Sequence, residues 1–340
     1  EQGIVTPASL LFDVRTAFPT REGLPYVPQN YDALFRGPVR AREALAASYN
    51  VPAVQVMERI GVNSLTALAG RLGMTSLDRA DLGLAAVLGG GEVRLLEETA
   101  AYAAFANGGA RVTPLAILRV EDAEGRVLVS NASGRGPQVL DPRVAFLITD
   151  ILSDDLARAP TFGVGSVLEL SRPAAVKTGT TTDFRDNWTV GYTPDLAVGV
   201  WVGNADGAPM VNVSGVSGAG PIWHDVMELA LQGRPPQSFE PPEGLVRVEV
   251  CALSGQLPGP DCPHRITEWF LAGTAPQTVC ELHQRVGDRV VVRYPPKAQA
   301  WAREQGLEYA AVDVPASSTA ATAPLRLLRP DAGTVYRYDP

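Results

Sequence analysis

Only two lysines stand in this 340-residue chain; the rest of its 29 basic residues are arginines. A lysine kept in so Arg-rich a sequence is a candidate for work that a guanidinium does badly, presenting a compact ammonium whose pKa its surroundings can tune. Lys297, in Tyr294-Pro-Pro-Lys297, precedes an expected surface helix and reads as solvated. Lys177 opens Lys177-Thr178-Gly179-Thr180 behind Pro173-Ala-Ala-Val176, a run of strand type. A strand-borne lysine beside threonine hydroxyls and a side-chain-free glycine makes an edge on which a peptide could lie. The ammonium and hydroxyls would hold its terminal carboxylate, and Gly179 would let its backbone approach. A second pattern, Ser48-Tyr49-Asn50, falls where one helical run stops and another begins at Pro52. Read locally, Ser48 and Asn50 suit a helix N-cap. Read chemically, they set a hydroxyl and an amide at a corner between helices.

The elements that must position these residues follow from punctuation and periodicity. Residues 1–39 are rich in X-Pro turns and read as extended and irregular. Helical text covers about Val39–Ala47, Pro52–Ile60 and 63–72. It resumes at Leu82–Val87 and, after Gly89-Gly90-Gly91, at Leu95–Ala106. Leu115–Val120 and Arg126–Ser130 read as a hairpin, and one helix is expected over about Pro142–Leu156. Ala174–Thr180, Asn187–Tyr192 and Leu196–Val202 read as strands, the last two joined at Thr193-Pro-Asp195, before a helix over Pro221–Leu231. Helices around a small antiparallel sheet make an α+β domain.

That domain is expected over 1–232, followed by a Pro-rich connector, 233–244, and a Cys-containing extension, 245–313. A linker, 314–324, leads to a strand–turn–strand, 325–340, that reads as the start of a truncated β domain, since a lone hairpin is marginal. The chain begins with Glu, which reads as a piece of something longer.

A net charge of −8 and the lack of any Lys/Arg-rich run argue against a nucleic-acid surface. No apolar stretch is long enough to span a bilayer. All three cysteines, Cys251, Cys262 and Cys280, lie near His264 and His283. One disulfide with a thiol left over, a zinc cluster and plain buried thiols are three readings that the spacing leaves open. No cofactor is implied elsewhere.

Ser48-x-Asn50 followed by Lys177-Thr-Gly forms the second and third elements of the serine acyl-transferase set shared by β-lactamases and penicillin-binding proteins. The stretches Gly37–Val54, Leu88–Gly109, Val176–Pro194 and Gly199–Asn204 resemble those of class A penicillin-binding proteins over about residues 1–232. The Cys-containing unit resembles the extension of the 1C type.

The resemblance implies a penicillin-binding, β-lactamase-like transpeptidase fold and a serine D,D-transpeptidase acting on peptidoglycan stem peptides ending in D-Ala-D-Ala, with β-lactams as ligands. It implies Ser48 as proton relay, Asn50 and Lys177 as further catalytic groups, and Tyr49, Thr178, Gly179 and Thr180 as substrate contacts. The Thr180 N–H would be an oxyanion donor, a contact worth on the order of 3–4 kcal/mol. It also implies an extracytoplasmic site and a membrane anchor upstream. The family's first motif, Ser-x-x-Lys, is missing: Ala174 and Tyr294 stand three residues before the two lysines. The nucleophile is therefore expected upstream of Glu1, with this chain inert alone. The other readings are a D,D-carboxypeptidase or β-lactamase-type hydrolase, and a non-catalytic wall-binding module.

Overall fold

Two short strands, far apart in sequence, frame the N-terminal region. In the computed structural model, which describes residues 2–20, 23–79, 81–131, 136–211 and 213–307, β1 (Leu10–Asp13) runs antiparallel to β2 (Gly37–Arg40). Leu11 faces Val39 across the pair. The helix expected from Val39 accordingly starts at Ala41, because Val39 belongs to the strand and to a core with Leu11, Ala44, Ala47 and Tyr49. This helix is α1 (Ala41–Ala46), and the Glu43 carboxylate accepts the Arg40 N–H at its start at 2.9 Å.

Helices α2 (Asn50–Ile60) and α3 (Val62–Leu72) follow, then a 3-10 turn at Leu84–Leu88 and α4 (Leu95–Ala106). The hairpin of β3 (Arg119–Glu121) and β4 (Val127–Ser130) is exposed on both strands. The single helix expected over 142–156 is two. α5 (Pro142–Leu152) stops before Ser153, and α6 (Asp155–Phe162) starts under its own cap, the Asp154 carboxylate accepting the Ala157 N–H at 2.9 Å.

The sheet that carries the Lys-Thr-Gly run has the order β5 (Ala175–Thr180), β6 (Asp186–Tyr192), β7 (Ala197–Gly203), all antiparallel. Its period-2 alternation feeds two cores. Val176 joins Trp223, Met227 and Leu231 of α7 (Ala219–Leu231) on one face. Ala175 and Tyr192 join Leu152 of α5 and Tyr102 of α4 on the other. Gly191 is glycine because a Cβ there would meet the Trp223 ring at 2.5 Å. The sheet is thus sandwiched between helices, and Lys177, sharing the Ala175 face, points into the helical layer that holds α1 and α2.

Strands β8 (Leu245–Cys251) and β9 (Arg265–Leu271) pair antiparallel after the connector, followed by the β10 (His283–Val286) and β11 (Arg289–Val292) hairpin and α8 (Pro296–Glu304). Arg42 of α1 binds buried Glu268 of β9 through Nε at 2.7 Å and Nη2 at 2.5 Å, and also reaches Asp154. Phe146 of α5 meets Trp269 edge-on at 5.8 Å. Trp301 of α8 donates its indole N–H to the Phe35 carbonyl. The expected linker at 314–324 and the strands at 325–340 lie outside the described residues.

Candidate active site

The Ser48 corner is built by the way α1 ends. Ser48 N–H bonds the Leu45 carbonyl at 3.3 Å and Tyr49 N–H bonds the Ala44 carbonyl at 2.9 Å, the two crossed bonds of a Schellman motif. The residue one past the cap in that motif is left-handed and usually glycine; here it is Ser48, at φ +62°. Holding a β-carbon in that conformation costs about 1–2 kcal/mol, and the surroundings enforce it. Neither Ser48 nor Asn50 caps α2; the N-cap is Tyr49, which makes no side-chain cap bond. The Asn50 backbone N–H is accepted instead by Asn30 Oδ1 at 2.7 Å. Asn30 in turn donates to both oxygens of Asp13 at 2.8 Å, and both residues are buried. Burial raises the Asp13 pKa, against which the Asn30 and Arg36 hydrogen bonds act. The Asn50 side chain donates to the Gln29 carbonyl at 2.7 Å, leaving its own carbonyl oxygen free for an N–H donor.

Lys177 crosses from the sheet to this corner. Its Nζ donates to Ser48 Oγ at 2.6 Å, joining residues 129 apart, and to the Thr178 carbonyl at 2.7 Å. The residue keeps a little exposure while its ammonium is walled off, and burial, with the Arg158 guanidinium second, pushes its pKa down to about 8. Arg158, 3% exposed, donates to the Leu152 carbonyl at 2.8 Å and to the Val176 carbonyl at 3.4 Å.

Thr181 N–H bonds the Asp186 carbonyl, so the antiparallel alternation turns residues 179, 177 and 175 toward β6. The backbone groups of Val176, Thr178 and Thr180 then face the open edge of β5. On that edge Arg158 takes the Val176 carbonyl and Lys177 takes the Thr178 carbonyl. The N–H groups of Thr178 and Thr180 are left for an incoming strand. The Thr180 hydroxyl accepts from Gly215 N–H at 2.9 Å, and Thr189 of β6 donates to the Gly215 carbonyl at 2.9 Å. The 213–218 loop is therefore stitched over the end of the strand.

The four described non-glycine residues at positive φ are Ala33, Ser48, Asp183 and Phe184. Ala33 lies in the segment whose Gln29 and Asn30 hold Asn50, and Tyr31 of that segment touches Phe184 edge-on at 6.2 Å. The structure sets Tyr49 apart from the other expected contacts. Its ring is buried among Leu11, Val39, Ala44 and Ala47, with the Arg36 guanidinium 4.7 Å above it. Asp13, Asn30 and Arg158 were not singled out in the sequence; each is polar and buried, a property that only tertiary packing reveals. Away from this site, Cys251, Cys262, Cys280 and His283 converge, and His264 is exposed and outside the cluster. The three thiols are free, so the disulfide reading does not describe this structure.

Solved structures with this architecture include penicillin-binding protein 1A from Haemophilus influenzae, at a TM-score of 0.71 and 24% identity over 81% of this chain and 46% of that one. PonA1 from Mycobacterium tuberculosis in complex with penicillin V aligns at a TM-score of 0.60 and 24% identity, over 69% of this chain and 66% of that one. These likenesses define the class of fold, a penicillin-binding transpeptidase fold of mixed helices and antiparallel sheet. The penicillin binding protein transpeptidase domain matches residues 1–228, and the penicillin-binding protein 1A C-terminal domain matches 241–285. The chain belongs to the penicillin-binding protein transpeptidase family, with class A members as its relatives. Penicillin-binding protein 2D of Bacillus subtilis (strain 168) is 37% identical over 283 residues, 81% of this chain and 40% of that protein. Penicillin-binding protein 1C of Escherichia coli (strain K12) is 33% identical over 285 residues, 82% of this chain and 34% of that protein. The chain thus spans two-fifths or less of the length of these relatives.

Proposed function

We propose that residues 1–232 form the larger part of a serine D,D-transpeptidase of a peptidoglycan synthase, and that β5 and the Ser48 corner bind a stem peptide ending in D-Ala-D-Ala. The observation that carries this reading is the 2.6 Å bond from Lys177 Nζ to Ser48 Oγ, set beside an open strand edge. A peptide laid along β5 would meet the outward Thr178 and Thr180 N–H groups. Its terminal carboxylate would take the Thr178 and Thr180 hydroxyls and the Lys177 charge. Penicillin would bind at the same place.

In the reaction, the upstream serine gives its hydroxyl proton to the lysine of its own motif as its oxygen attacks the carbonyl carbon of the penultimate D-Ala, and the Thr180 N–H stabilises the developing oxyanion. The C–N bond to the last D-Ala breaks, and that nitrogen takes a proton through Ser48 Oγ, which Lys177 resupplies. An amine of a neighbouring stem then attacks the ester, its proton returns to Lys177 by the same relay, and the ester C–O bond breaks as the serine oxygen recovers its proton from the lysine of its own motif. A Lys177 pKa of about 8 suits a group that gives and takes a proton near neutrality. Asn50, through its free carbonyl oxygen, would hold the substrate amide.

These 340 residues contain no Ser-x-x-Lys. We assign the nucleophile and its lysine to sequence preceding Glu1, in a longer protein that works outside the cytoplasm and is anchored by an upstream segment. Among the described residues no helix is long and apolar enough to cross a membrane. The domain limits proposed for this chain are those given above. Covalent labelling by fluorescent penicillin tests the reading, run on the 340-residue chain and on the same chain with its natural upstream sequence. Labelling of the longer chain alone is expected. Failure of both, with folding verified by circular dichroism, would leave a binding module in place of an enzyme.

A further inference from the structure

β8 ends on Cys251, and three later pieces of chain return to it. Cys262 closes a tight turn in which its N–H bonds the Gly259 carbonyl at 3.1 Å. Cys280 follows the parallel bridge between Leu257 and Val279, and its N–H bonds the Leu257 carbonyl at 2.8 Å. His283 opens β10. One ligand atom from each of the four residues lies within 4.8 Å of all the others, and the three cysteines are buried.

His283 Nδ1 is 3.5 Å from Cys251 Sγ and 3.5 Å from Cys280 Sγ. A tetrahedral zinc with bonds of about 2.3 Å to sulfur and 2.0–2.1 Å to nitrogen has S···N edges of about 3.6 Å. Two edges of the cluster already have that length. A disulfide would instead bring two sulfurs to about 2.05 Å and strand the third.

We infer that Cys251, Cys262, Cys280 and His283 form a structural zinc site of Cys3His type. The backbone around the sulfurs is arranged for thiolates. The Gly259 N–H points at Cys262 Sγ at 3.2 Å. Such N–H···S contacts orient and stabilise ligating sulfur. The donor set is soft, free of carboxylates and tetrahedral in number, which selects zinc over the hard cations. Four protein ligands leave no open position for chemistry, so the metal is a clip.

Its place in the fold says what it clips. The extension has a small core, with Val250 and Phe270 packed on Ala8 from the N-terminal segment. A β-carbon on Gly255, at φ +68° in the Cys251–Gly255 turn, would come within 1.8 Å of the Ala8 carbonyl oxygen. A core this size needs a cross-link, and the metal supplies one between the end of β8, two turns and β10. It thereby fixes the module whose Glu268 and Trp269 dock on α1 and α5.

The test uses the 340-residue chain, purified reduced and without chelator. Elemental analysis should find about one zinc per chain, and cobalt(II) exchange should give tetrahedral d–d bands with thiolate-to-cobalt charge transfer. Cys262→Ser should lose most of the zinc, and His264→Ala should keep it. Should the serine variant fail to fold, zinc release by a mercurial reagent on the unmodified chain gives the same reading, about three thiols modified per zinc freed. A reduced chain that takes up neither zinc nor cobalt would overturn the assignment. So would an as-purified chain two hydrogens lighter by intact mass, or zinc loss in His264→Ala equal to that in Cys262→Ser.

Discussion

Replacing Lys177 by methionine should separate stability from function, and the sign of the effect should depend on pH. The Lys177 pKa is depressed from 10.5 to about 8 in the folded chain. Between those values the unfolded chain holds a proton that the folded chain has released, so stability rises with pH across the window. At about 1.4 kcal/mol per pH unit, the folded state carries a charged Lys177 at pH 7 at a cost of about 3 kcal/mol, relative to pH above 10.5. A methionine fills similar volume and carries no charge, but gives up the bonds to Ser48 and Thr178, worth about 1 kcal/mol each. Lys177→Met should therefore stabilise the fold at pH 7 by about 1 kcal/mol. Above pH 10 it should destabilise by about 2 kcal/mol, and acylation of the upstream-extended chain should be lost throughout. Urea unfolding of both chains from pH 7 to 10.5 measures this, because the other titrating groups cancel in the difference. A difference that stays flat with pH would refute the account of the buried ammonium.

Ser48→Gly should be more stable than Ser48→Ala by about 1 kcal/mol, since both lose the hydroxyl and only glycine relieves the φ of +62°; equal denaturation midpoints would contradict the strained corner. Arg158→Met should raise the Lys177 pKa above about 8, moving the pH midpoint of acylation upward in the longer chain; an unmoved midpoint would show that Arg158 only packs. Glu268→Ala should cost about 2–3 kcal/mol, because Arg42 loses its buried partner and keeps only the more exposed Asp150 and Asp154, read as a lower urea midpoint; a loss under 1 kcal/mol would mean that the extension docks by apolar contact alone.

The pair that meets at the corner, Lys177 and Ser48, was legible in the sequence because rare residue types and chain breakers coincide there. Lys177 stands out for its scarcity, and Ser48-Tyr49-Asn50 for the helix stop before Pro52. The sheet was legible too, because β5 to β7 are rich in Val, Thr and aromatic residues and are joined by short turns. What escaped was tertiary. The four-residue β1 and β2 carry no local signal strong enough to outweigh the Pro-rich text between them, and Val39 looked helical until Leu11 claimed it. The break between α5 and α6 was written in Ser153-Asp154, a cap signal inside an apolar run. Ser48 occupies a position where a glycine would have announced the Schellman turn. In the cysteine unit the ligand types were visible, but which histidine joins them depends on the return of β10.

The most direct test of the central claim is the acylation rate of the upstream-extended chain by fluorescent penicillin, with Lys177→Arg against the unmodified residue. The site needs a small, tunable ammonium in contact with Ser48, so arginine should slow labelling by orders of magnitude while circular dichroism stays unchanged. Near-normal labelling by the arginine variant would contradict the role given to the Lys177–Ser48 pair.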